Sequence, residues 1–172
     1  MNLNEYDIDV SAALLKVFIR EIPNPLISLT FSDQMGALPG KCFLLANVYS
    51  CLHLYNILDA SICTQNTLDK VKEKVLAYYN EKKIHYNLLR YLCKFLKEVS
   101  DHSNMNRMNI HNLSVVFTPN IIRSEETSTN NYVNVPDNQH SALENATVYL
   151  KQMNQGMALV ELLIAKHQEL LP

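Results

Sequence analysis

Two polar clusters in this 172-residue chain have residue types and spacing that could do chemistry on another molecule. The first is Lys16 and Arg20, four residues apart and so one turn above the other on a helix, followed by Pro23 and Pro25. On periodicity alone they read as a solvated basic pair on an ordinary helix. The second is Asn104, Met105, Asn112, Leu113, Val116, Phe117, Pro119 and Asn120. A side-chain amide both donates and accepts, so Asn112, set between apolar positions, could bond a partner's backbone or simply face water.

Self-contained catalysis finds no support in the residue patterns. Gly36-Ala37-Leu38-Pro39-Gly40-Lys41-Cys42 is one residue short of a phosphate loop, has Cys where Ser or Thr must hold Mg²⁺, and follows no strand. The six histidines, His53, His85, His102, His111, His140 and His167, show no metal-ligand spacing with one another or with Cys42, Cys51, Cys63 and Cys93. No C-x-x-C pair occurs, which fits free thiols in a reducing compartment and a cytoplasmic protein. Asn112-Leu113-Ser114 and Asn145-Ala146-Thr147 match the glycosylation pattern, which carries no weight without a secretory signal.

The elements that must position the clusters read as helices. Composition, with 48% hydrophobic residues, 19% charged and three glycines, predicts a single globular domain over residues 1–172. A formal charge of -2 gives no support for nucleic-acid binding, and no apolar run is long enough for membrane insertion. Asp7 and Asp9 precede a helix over about Asp9–Glu21, on which Val10, Ala13, Leu14, Leu15, Val17, Phe18, Ile19 and Ile22 fill a wide apolar arc. The prolines at 23 and 25 end it. Residues 28–40 read as loop or short helix, and Lys41–Leu58 as a helix apolar on every face.

Thr67 is the expected cap of a helix with Leu68, Val71, Val75, Leu76 and Tyr79 inward. His85–Ser100 carries the bundle seam Leu89, Leu92, Leu96 and Val99. After the polar break 101–104, Asn109 caps a short helix with Ile110, Leu113 and Val116 inward, ending at Phe117-Thr118-Pro119. Residues 123–140 form a long surface loop. Ser141 opens a further helix, and Gly156 divides it from a last one. With no strand-like alternation, the fold class is all-α, a single-domain helical bundle.

Both clusters together resemble the Rho GTPase-activating (RhoGAP) domain family. Leu15-Lys16-Val17-Phe18-Ile19-Arg20-Glu21-Ile22-Pro23-Asn24-Pro25-Leu26-Ile27 is similar to that family's L-K-x-x-x-R-E-L-P-x-P-L-(I/L), with one conservative change. Asn106-Arg107-Met108-Asn109-Ile110-His111-Asn112-Leu113-Ser114-Val115-Val116-Phe117-Thr118-Pro119-Asn120-Ile121 fits its later signature, N-x-M-x-x-x-N-L-(A/S)-x-V-F-x-P-(N/T)-(L/I), throughout. The resemblance implies an all-α fold that binds a GTP-loaded small GTPase of the Rho, Rac or Cdc42 type and stimulates hydrolysis. It makes Lys16, Arg20, Pro25, Asn112 and Asn120 the GTPase-binding residues, and leaves cofactors (GTP and Mg²⁺) to the partner. It also calls for an arginine finger in a G-x-(F/Y)-R-x-S-G loop ahead of the Lys16/Arg20 helix, and these 172 residues contain no such loop. The expectations are therefore three: an activator whose finger segment precedes Met1, a GTPase-binding scaffold without efficient activation, or a substitute arginine. For the last, Arg123 stands ahead of Arg20, Arg90 and Arg107, and no catalytic residue is assigned outright.

Overall fold

A computed structural model describes residues 8–36, 65–124 and 139–172. The expected Lys41–Leu58 helix, most of the 123–140 loop and the Asp7 cap lie outside the described residues. The elements are α1 (Ile8–Glu21), β1 (Ile27–Ser28), α2 (Leu29–Gly36), α3 (Gln65–Tyr78), α4 (Lys83–Asp101), α5 (Ser103–Asn106), α6 (Ile110–Ile121), β2 (Ile122–Arg123), α7 (Gln139–Ala165) and α8 (His167–Leu170). The all-α expectation holds.

The amphipathic seams place the core. On α4, Leu89, Leu92, Cys93 and Leu96 are buried at the spacing the sequence predicts. They meet Leu113, Phe117 and Ile121 of α6 and Leu159, Leu163 and Ile164 of α7 in one apolar cluster. The helix pair α6–α7 forms the most extensive interface, with α2 also against α7, α1 against α6 and α3 against α8. Among the described residues no helix is long and apolar enough to cross a membrane.

Several sequence expectations need correction. Gly156 does not divide two helices, because α7 runs unbroken through it. A Cβ there would stand 3.0 Å from Ile122 Cδ1 and 3.1 Å from Thr118 Cγ2, so the glycine marks a close crossing of helices. The helix also begins at Gln139, not Ser141, and α3 begins two residues before Thr67, which is therefore not its cap. Pro119 does not end α6. It sits inside the last turn, and the helix continues to Ile121. Leu76 and Val116 face outward, each one residue, and so about 100° of helix, away from a buried seam position. The break expected at 101–104 narrows to His102, between the end of α4 and the single turn α5.

The largest difference concerns α1. Its apolar arc is wider than the core can use: Ile19 is buried and Leu15 and Ile22 pack partly, while Val10, Leu14, Val17 and Phe18 face out, Phe18 at 58% exposure. Alternation analysis also missed the two-residue parallel ladder, Ile27 with Ile122 and Ser28 with Arg123, which is too short to leave a periodic signal.

Candidate functional site

The first cluster depends on how the chain leaves α1. Prolines at 23 and 25 remove two backbone donors, so the exit must be fastened by other groups. Four contacts do this. Arg123 Nη2 donates to Ile22 O at 2.6 Å, placing a cation on a carbonyl just past the helix C-terminus, where the macrodipole favours it. The Tyr79 hydroxyl donates to Leu26 O. Ser28 N–H donates to the Tyr78 hydroxyl at 3.1 Å. The β1–β2 ladder holds Ile27 and Ser28 from the other side. Tyr78 in turn stacks on Phe31, ring centroids 4.2 Å apart, and meets Tyr79 edge-on at 4.8 Å. Pro25 is buried within this knot.

That anchorage aims the basic pair. Lys16 is half-buried and Arg20 exposed. Arg20 Nε lies 3.3 Å from Glu21 Oε1, an exposed contact worth little and easily exchanged for a partner's carboxylate. Arg123 is accounted for differently. Its half-buried guanidinium is held by Ile22 O, and reaching a partner would require breaking that bond. Arg90 and Arg107, the other candidate arginines, are exposed on α4 and on the α5–α6 connection.

The second cluster is built from asparagines three apart. Asn106 Nδ2 donates to Val99 O at 2.8 Å, and its Oδ1 accepts from Met108 N–H at 2.8 Å. Asn109 caps α6, its Oδ1 accepting from Asn112 N–H at 2.8 Å, as the sequence predicts. Asn112 Nδ2 reaches back to Arg107 O at 2.9 Å. These four bonds brace the turn that has Arg107 in the left-handed region at φ 59°, a conformation that ordinarily costs a non-glycine residue about 1 kcal/mol. The Asn112 amide N–H is thus partly committed to the turn, while the residue stays exposed. Asn120 is half-exposed, and its amide donates to Val116 O at 3.0 Å, back along its own helix.

The structure thus brings the two clusters onto touching helices, Lys16 and Arg20 on α1 and Asn112 and Asn120 on α6, and buries Pro25 in the chain that leaves α1. Among the described residues no group of three acidic, His or Cys side chains could hold a metal ion. Sequence reasoning missed the tyrosine pair that fastens α1's exit and a buried contact among His111, Ser114 and Glu161. The available signals were the adjacent Tyr78-Tyr79 and a lone acid in the apolar run 157–164.

The RhoGAP domain family model matches residues 1–126. Rho GTPase-activating protein 22 of Mus musculus is 35% identical over 119 residues, covering 69% of this chain and 14% of that protein. Rho GTPase-activating protein 24 of Homo sapiens is 33% identical over 117 residues, 68% of this chain and 13% of that protein. The Mus musculus protein of the same name is 30% identical over 166 residues, 96% of this chain and 17% of its own length. The chain spans less than a fifth of the length of each of these relatives. Both asparagine-rich and basic clusters, with α1 through β2, fall inside the matched region, and the chain belongs to the RhoGAP domain family.

Proposed function

We propose that this chain docks on the GTP-loaded form of a Rho-family small GTPase and promotes hydrolysis of the bound nucleotide. The observation that carries the reading is the joint placement of both family motifs on touching helices, with α1's exit fastened by Arg123, Tyr78 and Tyr79. Lys16 and Arg20 supply charge to the partner's switch surface, Asn112 a side-chain amide at the adjoining turn, and Pro25 the shape of the exit. GTP and Mg²⁺ belong to the partner, and the setting is the cytoplasm. In this chemistry an arginine neutralises charge that develops on the phosphoryl group in flight, worth about 10³ to 10⁵ in rate. Arg123 already serves as a tether, so on our reading it does not supply that arginine.

The test is GTP hydrolysis by Rho-, Rac- and Cdc42-type GTPases, timed with and without this chain, alongside the affinity for each GTP-loaded protein. The Lys16→Ala, Arg20→Ala double variant should bind at least about tenfold more weakly, or ~1.4 kcal/mol. Unchanged affinity would sink the docking surface. Tight binding without acceleration identifies the alternative, a GTPase-binding module.

A further inference from the structure

Among the described residues Glu161 is the only charged side chain that is buried, at 5% exposure. It projects from α7 between the buried Leu159, Val160, Leu163 and Ile164, where an unpaired carboxylate would be strongly disfavoured. Its Oε1 accepts twice from α6: from His111 Nδ1 at 2.7 Å and from Ser114 Oγ at 3.1 Å. His111 and Ser114 are three residues apart, so one oxygen grips a full turn of α6 from one side. Ser114 has a single hydroxyl proton, shared between Glu161 Oε1 and His111 O at 2.7 Å, which closes the contact onto the helix backbone. A buried carboxylate held by hydrogen bonds is a poor source of net stability, and the better-attested role of such contacts is to fix registry between packed elements.

What it fixes here is the first turn of α6. Asn112 follows His111 directly and points about 100° round the helix. Any roll of that turn about its axis would displace the Asn112 amide from Arg107 O and rotate it relative to α1. We infer that Glu161, from a helix outside the family match, is a positioning residue that sets the orientation of Asn112 for GTPase docking. This rests on the docking reading above.

Glu161→Leu and Glu161→Gln separate position from stability. Glu161→Leu removes the buried carboxylate, the His111 ring at 34% exposure can turn its freed nitrogen to water, and Ser114 keeps its bond to His111 O, so the variant should remain folded. In the free protein, the Asn112 side-chain amide resonances should shift in Glu161→Leu and stay near wild type in Glu161→Gln, which retains the accepting oxygen. Affinity for a GTP-loaded Rho GTPase should fall about fivefold in the Leu variant, the scale of one misplaced hydrogen bond. No further loss should occur when Glu161→Leu is added to Asn112→Ala. A folded Glu161→Leu protein whose Asn112 amide has not moved overturns the proposal, because the local bonds to Asn109 and Arg107 then suffice. So does a loss that persists at full size in the Asn112→Ala background. Wild-type affinity in Asn112→Ala alone overturns the proposal as well, whereas the docking reading falls only if the Lys16→Ala, Arg20→Ala variant binds unchanged, which tells the two failures apart.

Discussion

Cys93 and Tyr79 both keep a proton inside the core. The Cys93 thiol is fully buried on α4, and burial alone pushes its pKa up to about 12. Tyr79 is raised well above its usual value, first by burial and then by the neighbouring Tyr78 and Cys93, while its hydroxyl donates to Leu26 O. In both cases the folded state holds the proton more tightly than the unfolded chain does. The stabilisation is therefore complete below the unfolded thiol value, near pH 8.5, and is lost as pH rises toward the folded value. Urea midpoints should be level between pH 6 and 8 and then fall, with about 1.4 kcal/mol per pH unit attributable to Cys93 between roughly pH 9 and 12. Cys93→Ala should flatten that limb relative to wild type; an identical slope in the two proteins would show that the thiol is not desolvated. The burial of Cys93 was legible from the Leu89–Leu96 seam around it. The tyrosine bonds were not, since side-chain bonds to a segment some 50 residues away leave no periodic trace.

At the scale of elements, glycine illustrates how a local rule misleads. A glycine within a helical pattern reads as a break because it costs about 1 kcal/mol against alanine. In α7 the space above Gly156 is taken by Thr118 of α6 and Ile122 of β2, with Ser32 Oγ of α2 at 3.7 Å. The residue is small because three elements converge there, which only the tertiary arrangement reveals. Gly156→Ala gains helix propensity but drives a methyl into Thr118 Cγ2, whose β-branched side chain has little freedom to turn away. We expect a net loss of about 1 kcal/mol, read as a lower thermal midpoint. Gly156→Ala combined with Thr118→Ser, which removes that methyl, should recover most of it. A single variant more stable than wild type would mean that the crossing is looser than these distances imply. By contrast α1, α4 and the Asn109 cap were legible, because each rests on spacing within one short segment.

At the scale of the whole molecule, α1 carries the basic pair yet is lightly held by packing. It buries Ile19 completely and little else, whereas α4 and α7 lie deep in the core cluster. Its position therefore depends on the polar fastenings at its exit, above all the Arg123 bond to Ile22 O and the Tyr79 bond to Leu26 O. Segments with few buried contacts open locally at free energies below that of global unfolding. Amides of α1 should accordingly exchange with deuterium by local opening, well before those of α4, when followed at pH 7 by mass spectrometry of peptides. Arg123→Ala leaves Ile22 O without its cation and should cost about 1–3 kcal/mol, concentrated in α1. The expected result is faster exchange across α1, little change in α4, and weaker binding of a GTP-loaded GTPase by a residue that need not touch it. Slow exchange in α1, equal to that in α4, would show that the helix is held by packing. Restored affinity in Arg123→Lys would assign the effect to charge at the helix end. A loss in Lys as severe as in Ala would assign it to the guanidinium's geometry at Ile22 O.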